Sequence, residues 1–550
     1  MNIEEKIATM SLEEKLAQMI VVRGIGYEER IRDMLREGKI ASIGAVAIPE
    51  RTVDEATTHM NRYLADAKNP LIFYIDAEWG VAQVFPDGTR FPAQMAVGAS
   101  RSEELAYQNG YVIASECKAL GFSIVGSPVL DININYKNPI ISTRAFSDDT
   151  DLVIKLGRAY VQGIQDAGVL PCGKHYPGHG DTAVDSHMSM PIVTRDRDSL
   201  MDIELRPYKE LAKEMWGVMT AHIAYPALAE KGEETLPATL SRKIIHGILR
   251  EEFGYDGLII SDSLTMKGIK DAYGLEAAVG AIHAGHDIIL QDYDSDPKLT
   301  MDVLVRAVHE GKISVQQIDE SVARILKFKQ KIDALGNKPI DTEHAKQVLG
   351  CEKHRDIARK VAEAGVTLLE NECMPLHPNT AGKTLVISTV GEEEGKKIRD
   401  FGLADDSSSK RIAQAVAKRM EIDHMCVPEH PSEQDIEEVL ARAEGCEHVI
   451  FASFIRPVAY KPTSGTITEN QQKLIRELTE RVPNFIYLIF GNPYCLLALP
   501  KIKNCIVGYG DDQFSIEAAT KVVFGELEAQ GVLPVRVGDL YPFGYSFKKS

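Results

Sequence analysis

Two short segments carry residues whose types and spacing can do acid–base and nucleophilic chemistry. In K-H-Y-P-G-H-G-D-T-A-V-D-S-H (174–187), Asp185 and His187 stand two apart in a glycine-rich stretch. A tight turn there lets the carboxylate hold the imidazole and fix its tautomer. An imidazole, whose ordinary pKa is about 6.5, can give and take a proton at neutral pH. In L-I-I-S-D-S-L-T-M-K-G-I (258–269), Asp262 closes an apolar run, where a carboxylate can attack an anomeric carbon. Each segment has a plainer reading. His175, His179, Asp181, Asp185 and His187 are all metal-ligand types, but their spacing matches no common metal motif, so no metal and no cofactor is expected. Ser261, Asp262 and Ser263 would also cap a helix.

Other segments supply groups that bind hydroxyls. Lys174 and His175 open the first segment and can donate. L-I-F-Y-I-D-A-E-W-G (71–80) ends in Asp76 and Glu78, with Trp79 able to pack on a sugar face. S-P-V-L-D-I-N-I-N-Y-K-N-P-I-I-S-T-R-A-F (127–146) offers Asp131, Asn133, Asn138 and Arg144, and G-V-M-T-A-H (217–222) ends in His222. The competing reading for these stretches is a hydrogen-bonded structural loop.

What must position these residues is visible in eight short apolar runs, at 19–24, 43–49, 71–76, 122–131, 169–175, 217–222, 257–262 and 287–292. Runs this short and apolar suit strands buried on both faces. Helical patterns lie between them, for instance at 101–119, 151–166, 241–254 and 270–283. Eight strand–helix units predict a (β/α)8 barrel over residues 1–335. Asp76, Asp131, Lys174, His175, His222, Asp262 and Asp292 all fall at or near the C-terminal ends of the runs. A barrel gathers those ends around one mouth.

A helical stretch after residue 312 and a polar connector at 336–354 lead into a second alternating pattern. Strands are expected at 366–370, 384–390, 448–454, 485–491 and 504–510. They predict a parallel α/β sandwich over 355–550, an α/β class for both parts of the chain.

The net charge of −18 over 550 residues argues against nucleic acid and against an anionic membrane surface. The start, M-N-I-E-E-K, lacks the features of a secretion signal, and no apolar stretch is long enough to span a bilayer. The eight cysteines are scattered without C-x-x-C pairs, as expected of buried thiols in a reducing cytoplasm.

The 174–187 string closely resembles the signature loop of family-3 glycoside hydrolases, in their β-N-acetylglucosaminidase (NagZ-like) branch. L-D-I-N…N-P-I…R-A-F, M-T-A-H-I-A-Y-P, L-P-A-T-L-S and D-G-L-I-I-S-D-S-L-T-M-K match in order and spacing. A-R-K-V-A-E-A-G-V-T-L-L-E-N (358–371) and F-G-E-L-E-A-Q-G-V-L-P-V (524–535) resemble that family's second domain. The resemblance implies Asp262 as nucleophile, His187 as acid/base and Asp185 as its orienting partner. It implies that Asp76, Arg144, Lys174 and His175 grip the terminal sugar; Asp131 and His222, at their strand ends, are further candidates for substrate binding. Two positions depart from the family pattern: E-W-G-V-A-Q replaces a stretch like E-G-G-R-V-x-R, and Tyr176 replaces a phenylalanine.

The expected activity is retaining hydrolysis of terminal β-linked N-acetylglucosamine from an oligosaccharide or muropeptide, as in peptidoglycan recycling. An imidazole, unlike a second carboxylate, would not repel an anionic acceptor, so phosphorolysis is the alternative. A β-glucosidase, a metal-dependent hydrolase and a non-catalytic sugar-binding protein are the other readings.

Overall fold

The computed structural model describes residues 2–23, 26–48, 50–377, 382–390, 408–455, 457–458 and 465–548. They form two compact units that interleave along the chain. One comprises Met1–Arg90, Ala106–Asn138 and Val153–Arg355; the other comprises Phe91–Leu105, Pro139–Leu152 and Asp356–Ser550.

In the first unit each apolar run becomes a strand, although positions 24 and 49 of the first two runs lie outside the described residues. The strands are β1 (Ile20–Val21), β2 (Ser42–Gly44), β3 (Ile72–Ile75), β4 (Phe122–Val125), β5 (Leu170–Pro171), β6 (Gly173–Tyr176), β7 (Gly217–Thr220), β8 (Leu258–Ser263) and β9 (Ile288–Leu290). All pair in parallel, in the orders β1-β9-β8-β7-β6 and β2-β3-β4-β5. β5 and β6 are one run interrupted at Cys172, whose N–H donates to Val125 O at 2.9 Å. A Val129–Lys174 bridge backs that junction, and a Val22–Ile43 bridge joins β1 to β2. The two sheets thus close into the eight-strand barrel.

The surrounding helices are started by local chemistry. Ser314 accepts from Gln317 N to begin Val315–Lys331, which buries Ile318, Val322, Ile325 and Leu326 on one stripe. From its last turn Lys329 reaches the N-terminal side of the barrel, donating to Gln18 Oε1 at 2.8 Å, Ala41 O at 3.2 Å and Pro70 O at 2.7 Å. These acceptors precede or flank β1, β2 and β3. Burial pushes its amino group down to about 7. The helix expected at 270–283 is instead two, Lys267–Tyr273 and Glu276–Ala284. Gly274 separates them at φ 52°, ψ −135°, a conformation side chains avoid.

The second unit is a six-stranded sheet in the order β10-β15-β14-β13-β11-β12. Its strands are β10 (Thr367–Glu370), β11 (Lys383–Val390), β12 (Asp423–Pro428), β13 (Cys446–Ile455), β14 (Asn484–Gly491) and β15 (Cys505–Val507). The expectation of an all-parallel sheet needs correction: β10 pairs antiparallel with β15, the other pairs being parallel. β12 was not anticipated either. It is an edge strand reading D-H-M-C-V-P, half exposed, and so lacks an apolar run. All eight cysteines are free thiols, but only four are buried, and Cys426 is exposed. No helix among the described residues is long and apolar enough to cross a membrane.

Candidate active site

Four residues meet: Tyr74 on β3, Asp76 and Glu78 just beyond it, and Lys174 on β6. Asp76 follows β3, and its Oδ1 accepts from Tyr74 Oη at 2.7 Å. Lys174, on β6, lies 3.3 Å from the same oxygen and 2.6 Å from Glu78 Oε1. The ammonium is therefore clamped between two carboxylates, one buried and one half-exposed toward solvent. Gly126 makes room: a Cβ there would sit 2.4 Å from Asp76 Oδ1 and 2.5 Å from Tyr74 Oη.

Asp131, just past β4, is buried and organises the turn that follows β6. Its Oδ1 accepts from the backbone nitrogens of His175 at 3.2 Å and His179 at 2.6 Å, and its Oδ2 lies 2.6 Å from His175 Nδ1. Burial pushes this carboxyl up, but His175 and His179 outweigh that and hold it below the usual range.

The segment after β6 folds over itself. His179 Nδ1 meets Thr182 Oγ1 at 2.7 Å and its Nε2 meets Ser186 Oγ at 2.9 Å. Asn138 Nδ2 donates to His179 O at 2.8 Å. A Cβ on Gly180 would fall 1.7 Å from Ile132 O, so the segment lies directly on the backbone that follows β4. At its far end Asp185 is buried and His187 half-buried. Asp185 Oδ1 accepts from His187 Nδ1 at 2.7 Å, which orients the ring. The same segment packs against the start of the helix Lys267–Tyr273 that follows β8, since a Cβ on Gly268 would meet Ser186 O at 2.9 Å.

Asp262 is part of β8 and not a helix cap. The next helix starts at Lys267, with Met266 in the cap position and no side-chain cap bond. Asp262 Oδ1 accepts from Ser263 N at 2.6 Å. Burial raises its pKa, yet the fields of His175, His222 and His187, with the Ser263 N–H, bring it down to about 2. A charged carboxylate at a strand end, under three imidazoles from three other elements, is equipped to act as a nucleophile.

The residues singled out in the sequence are distributed as follows. Asp76 and Lys174 touch, as do Asp131 and His175, and Asp185 and His187; Asp262 senses His175, His222 and His187. His222 is fully buried, with Nδ1 2.8 Å from Thr239 Oγ1 and Nε2 donating to Ser263 O at 3.0 Å. It thus holds the strand end that carries Asp262, and burial lowers its pKa. Arg144 lies in the second unit, in a short turn, its Nη1 donating to Ile140 O at 3.0 Å. Trp79 is half-buried under Arg90, whose Cζ is 5.3 Å from the ring. Glu78, read in the sequence as an acceptor for hydroxyls, is the closer partner of Lys174. One residue escaped the sequence reading. Arg23, one residue beyond the Val22 bridge, donates from Nη1 to Ser263 Oγ at 2.5 Å. A charge closing the otherwise apolar run M-I-V-V-R was the available signal.

A buried, charged carboxylate and a carboxylate-held imidazole at the mouth of a parallel eight-strand barrel fit a barrel glycoside hydrolase. The chain belongs to glycosyl hydrolase family 3: the family's N-terminal domain, "Glycosyl hydrolase family 3 N terminal domain", matches residues 11–328. It is 36% identical over 333 residues to Beta-hexosaminidase A of Pseudoalteromonas piscicida, covering 56% of this chain and 55% of that protein. The match therefore spans about half the length of that relative. Against the Beta-N-acetylglucosaminidase/beta-glucosidase of Cellulomonas fimi it is 25% identical over 547 residues, 96% of this chain and 94% of that one. Among solved structures, a glycoside hydrolase family 3 beta-N-acetylglucosaminidase from Paenibacillus sp. str. FPU-7 superposes with a TM-score of 0.83 at 30% identity, covering 96% of this chain and 99% of that one.

Proposed function

We propose that the chain is an exo-acting, retaining β-N-acetylglucosaminidase that releases terminal β-linked N-acetylglucosamine from small cell-wall-derived oligosaccharides in the cytoplasm. The observation carrying this reading is the pairing of Asp262, held charged, with an imidazole fixed by Asp185 on the segment packed beside it.

The chemistry runs in two displacements. An Asp262 oxygen forms a bond to the anomeric carbon as the bond to the leaving oxygen breaks, and His187 Nε2–H, as imidazolium, protonates that oxygen. Neutral His187 then takes a proton from water while the water oxygen attacks the anomeric carbon, and the Asp262 carboxylate departs with the bonding pair. Asp185 stabilises the imidazolium each time it forms. Lys174 and Asp76 present a donor and an acceptor for sugar hydroxyls. Asp131 and His222 orient His175 and Asp262 from behind.

The test is turnover of aryl β-N-acetylglucosaminide against aryl β-glucoside, with disaccharide release followed by chromatography. Cleavage of the glucoside alone would replace this reading by a β-glucosidase. Phosphorolysis stands as the second reading, because the acceptor would face a half-exposed imidazole in place of a carboxylate. Formation of the sugar 1-phosphate in phosphate buffer decides it.

A further inference from the structure

Arg23 stands out from the other cations of the barrel mouth. Lys174 has two carboxylates in contact, and His175 and His187 have one each. Arg23 is buried to 6% exposure, yet among the described residues no carboxylate pairs with it. Among the described residues its side chain makes one hydrogen bond, to the Ser263 hydroxyl, it lies 5.3 Å from the Tyr293 ring centroid, and its buried Nε has no partner. Gly44 leaves the passage for its stem, since a Cβ there would lie 2.9 Å from Arg23 Cγ. The chain holds 80 acidic residues against 62 basic ones, so an acidic partner was easy to supply. A buried cation kept without a counter-charge is costly unless something else brings the anion.

Its place says what it would meet. Ser263, which it holds, donates its backbone N–H to Asp262. Its charge also acts on Tyr74, whose hydroxyl holds Asp76. Arg23 thus stands between the nucleophile's strand end and the carboxylate proposed to grip the sugar, with the fork of donors that suits an oxyanion.

We propose that Arg23 is the anchor for a phosphate group in the mouth of this barrel, carried in by the substrate as a phosphorylated terminal sugar or free as an acceptor. The inference deepens the glycosidase reading and rests on it. In the free case a phosphate oxygen would form the bond to the anomeric carbon as the Asp262 ester breaks, with the electron pair returning to the carboxylate.

The experiment compares wild type, Arg23→Met and Arg23→Lys, each checked for a native melting profile. N-acetylglucosamine and its 6-phosphate are used as competing ligands, and inorganic phosphate is titrated by calorimetry against chloride at equal ionic strength. If the phosphate rides on the sugar, wild type prefers the 6-phosphate by on the order of tenfold to a hundredfold, as one forked ionic contact gives. Arg23→Met abolishes the preference, and Arg23→Lys keeps part of it. If the phosphate is free, inorganic phosphate binds saturably to wild type and not to Arg23→Met. An equal response of wild type and Arg23→Met to both phosphate probes overturns the proposal, leaving Arg23 as a tether for Ser263. Calorimetry needs no turnover, so failure of the glycosidase reading would appear separately, as an uncleaved neutral aryl substrate.

Discussion

Asp185 and His187 are joined twice through one oxygen: Asp185 Oδ1 accepts from the His187 backbone nitrogen at 2.9 Å and from Nδ1 at 2.7 Å. The carboxylate therefore sets both the turn and the ring. Asp185→Asn keeps much of the shape but removes the charge that stabilises the imidazolium. We expect kcat to fall by about 10²- to 10⁴-fold on substrates with basic leaving groups. Activated aryl substrates, which need little protonation, should lose much less. Equal losses across a series of aryl leaving groups would contradict the assignment.

Asp262 leads to a pH prediction. Its pKa is lowered to about 2, so the charged form persists as pH falls until that value is approached. Activity lost between about pH 6 and 4 therefore belongs to other groups. Asp262→Asn should reduce kcat by about 10⁴-fold or more. The ratio of wild type to variant should stay flat from pH 4 to 8, read as kcat on an aryl N-acetylglucosaminide. A ratio that narrows toward pH 4 would mean the carboxylate is titrating there.

Gly180 gives a test of loop placement. With Ile132 O only 1.7 Å from where a Cβ would stand, Gly180→Ala must lift the segment carrying Asp185 and His187. A misplacement of about 1 Å costs on the order of 10²-fold in rate. The expected outcome is a loss of that size in kcat with barrel circular dichroism unchanged.

His286 predicts an acid-labile barrel. It is fully buried, with Nδ1 donating to Ala281 O at 2.8 Å and Nε2 2.8 Å from Thr220 Oγ1. Burial pushes its pKa down to about 4, from an ordinary 6.5. The unfolded chain thus takes up this proton first as pH falls. The stability is fully present above about pH 6.5 and is lost progressively down to about pH 4, by about 3 kcal/mol. His286→Gln should remove that slope, as seen in urea midpoints at pH 7 and pH 4.

Much of the barrel was legible because buried strands must be apolar on both faces, and the polar residues ending them stand out. Strand direction was not legible: T-L-L-E reads the same whether it runs with or against its neighbour, and β10 runs against. β12 was hidden because an edge strand need bury only alternate residues. At the site, residues close in sequence, such as Asp185 and His187, could be paired by eye. Arg23 and Ser263 could not, being 240 residues apart, because only closure of the barrel brings β1 and β8 into one mouth.

The interleaving of the two units bears on how the chain is made. Val532 N donates to Ala99 O at 3.1 Å, and Arg101 Nη2 donates to Leu533 O at 3.0 Å across 432 residues of sequence. On the ribosome, residues 91–105 and 139–152 emerge long before their partners near the C-terminus exist. Contacts this remote make folding slow, and they leave early segments waiting with unsatisfied backbone and apolar surface. The nascent polypeptide should therefore depend on chaperones until its last stretch is released.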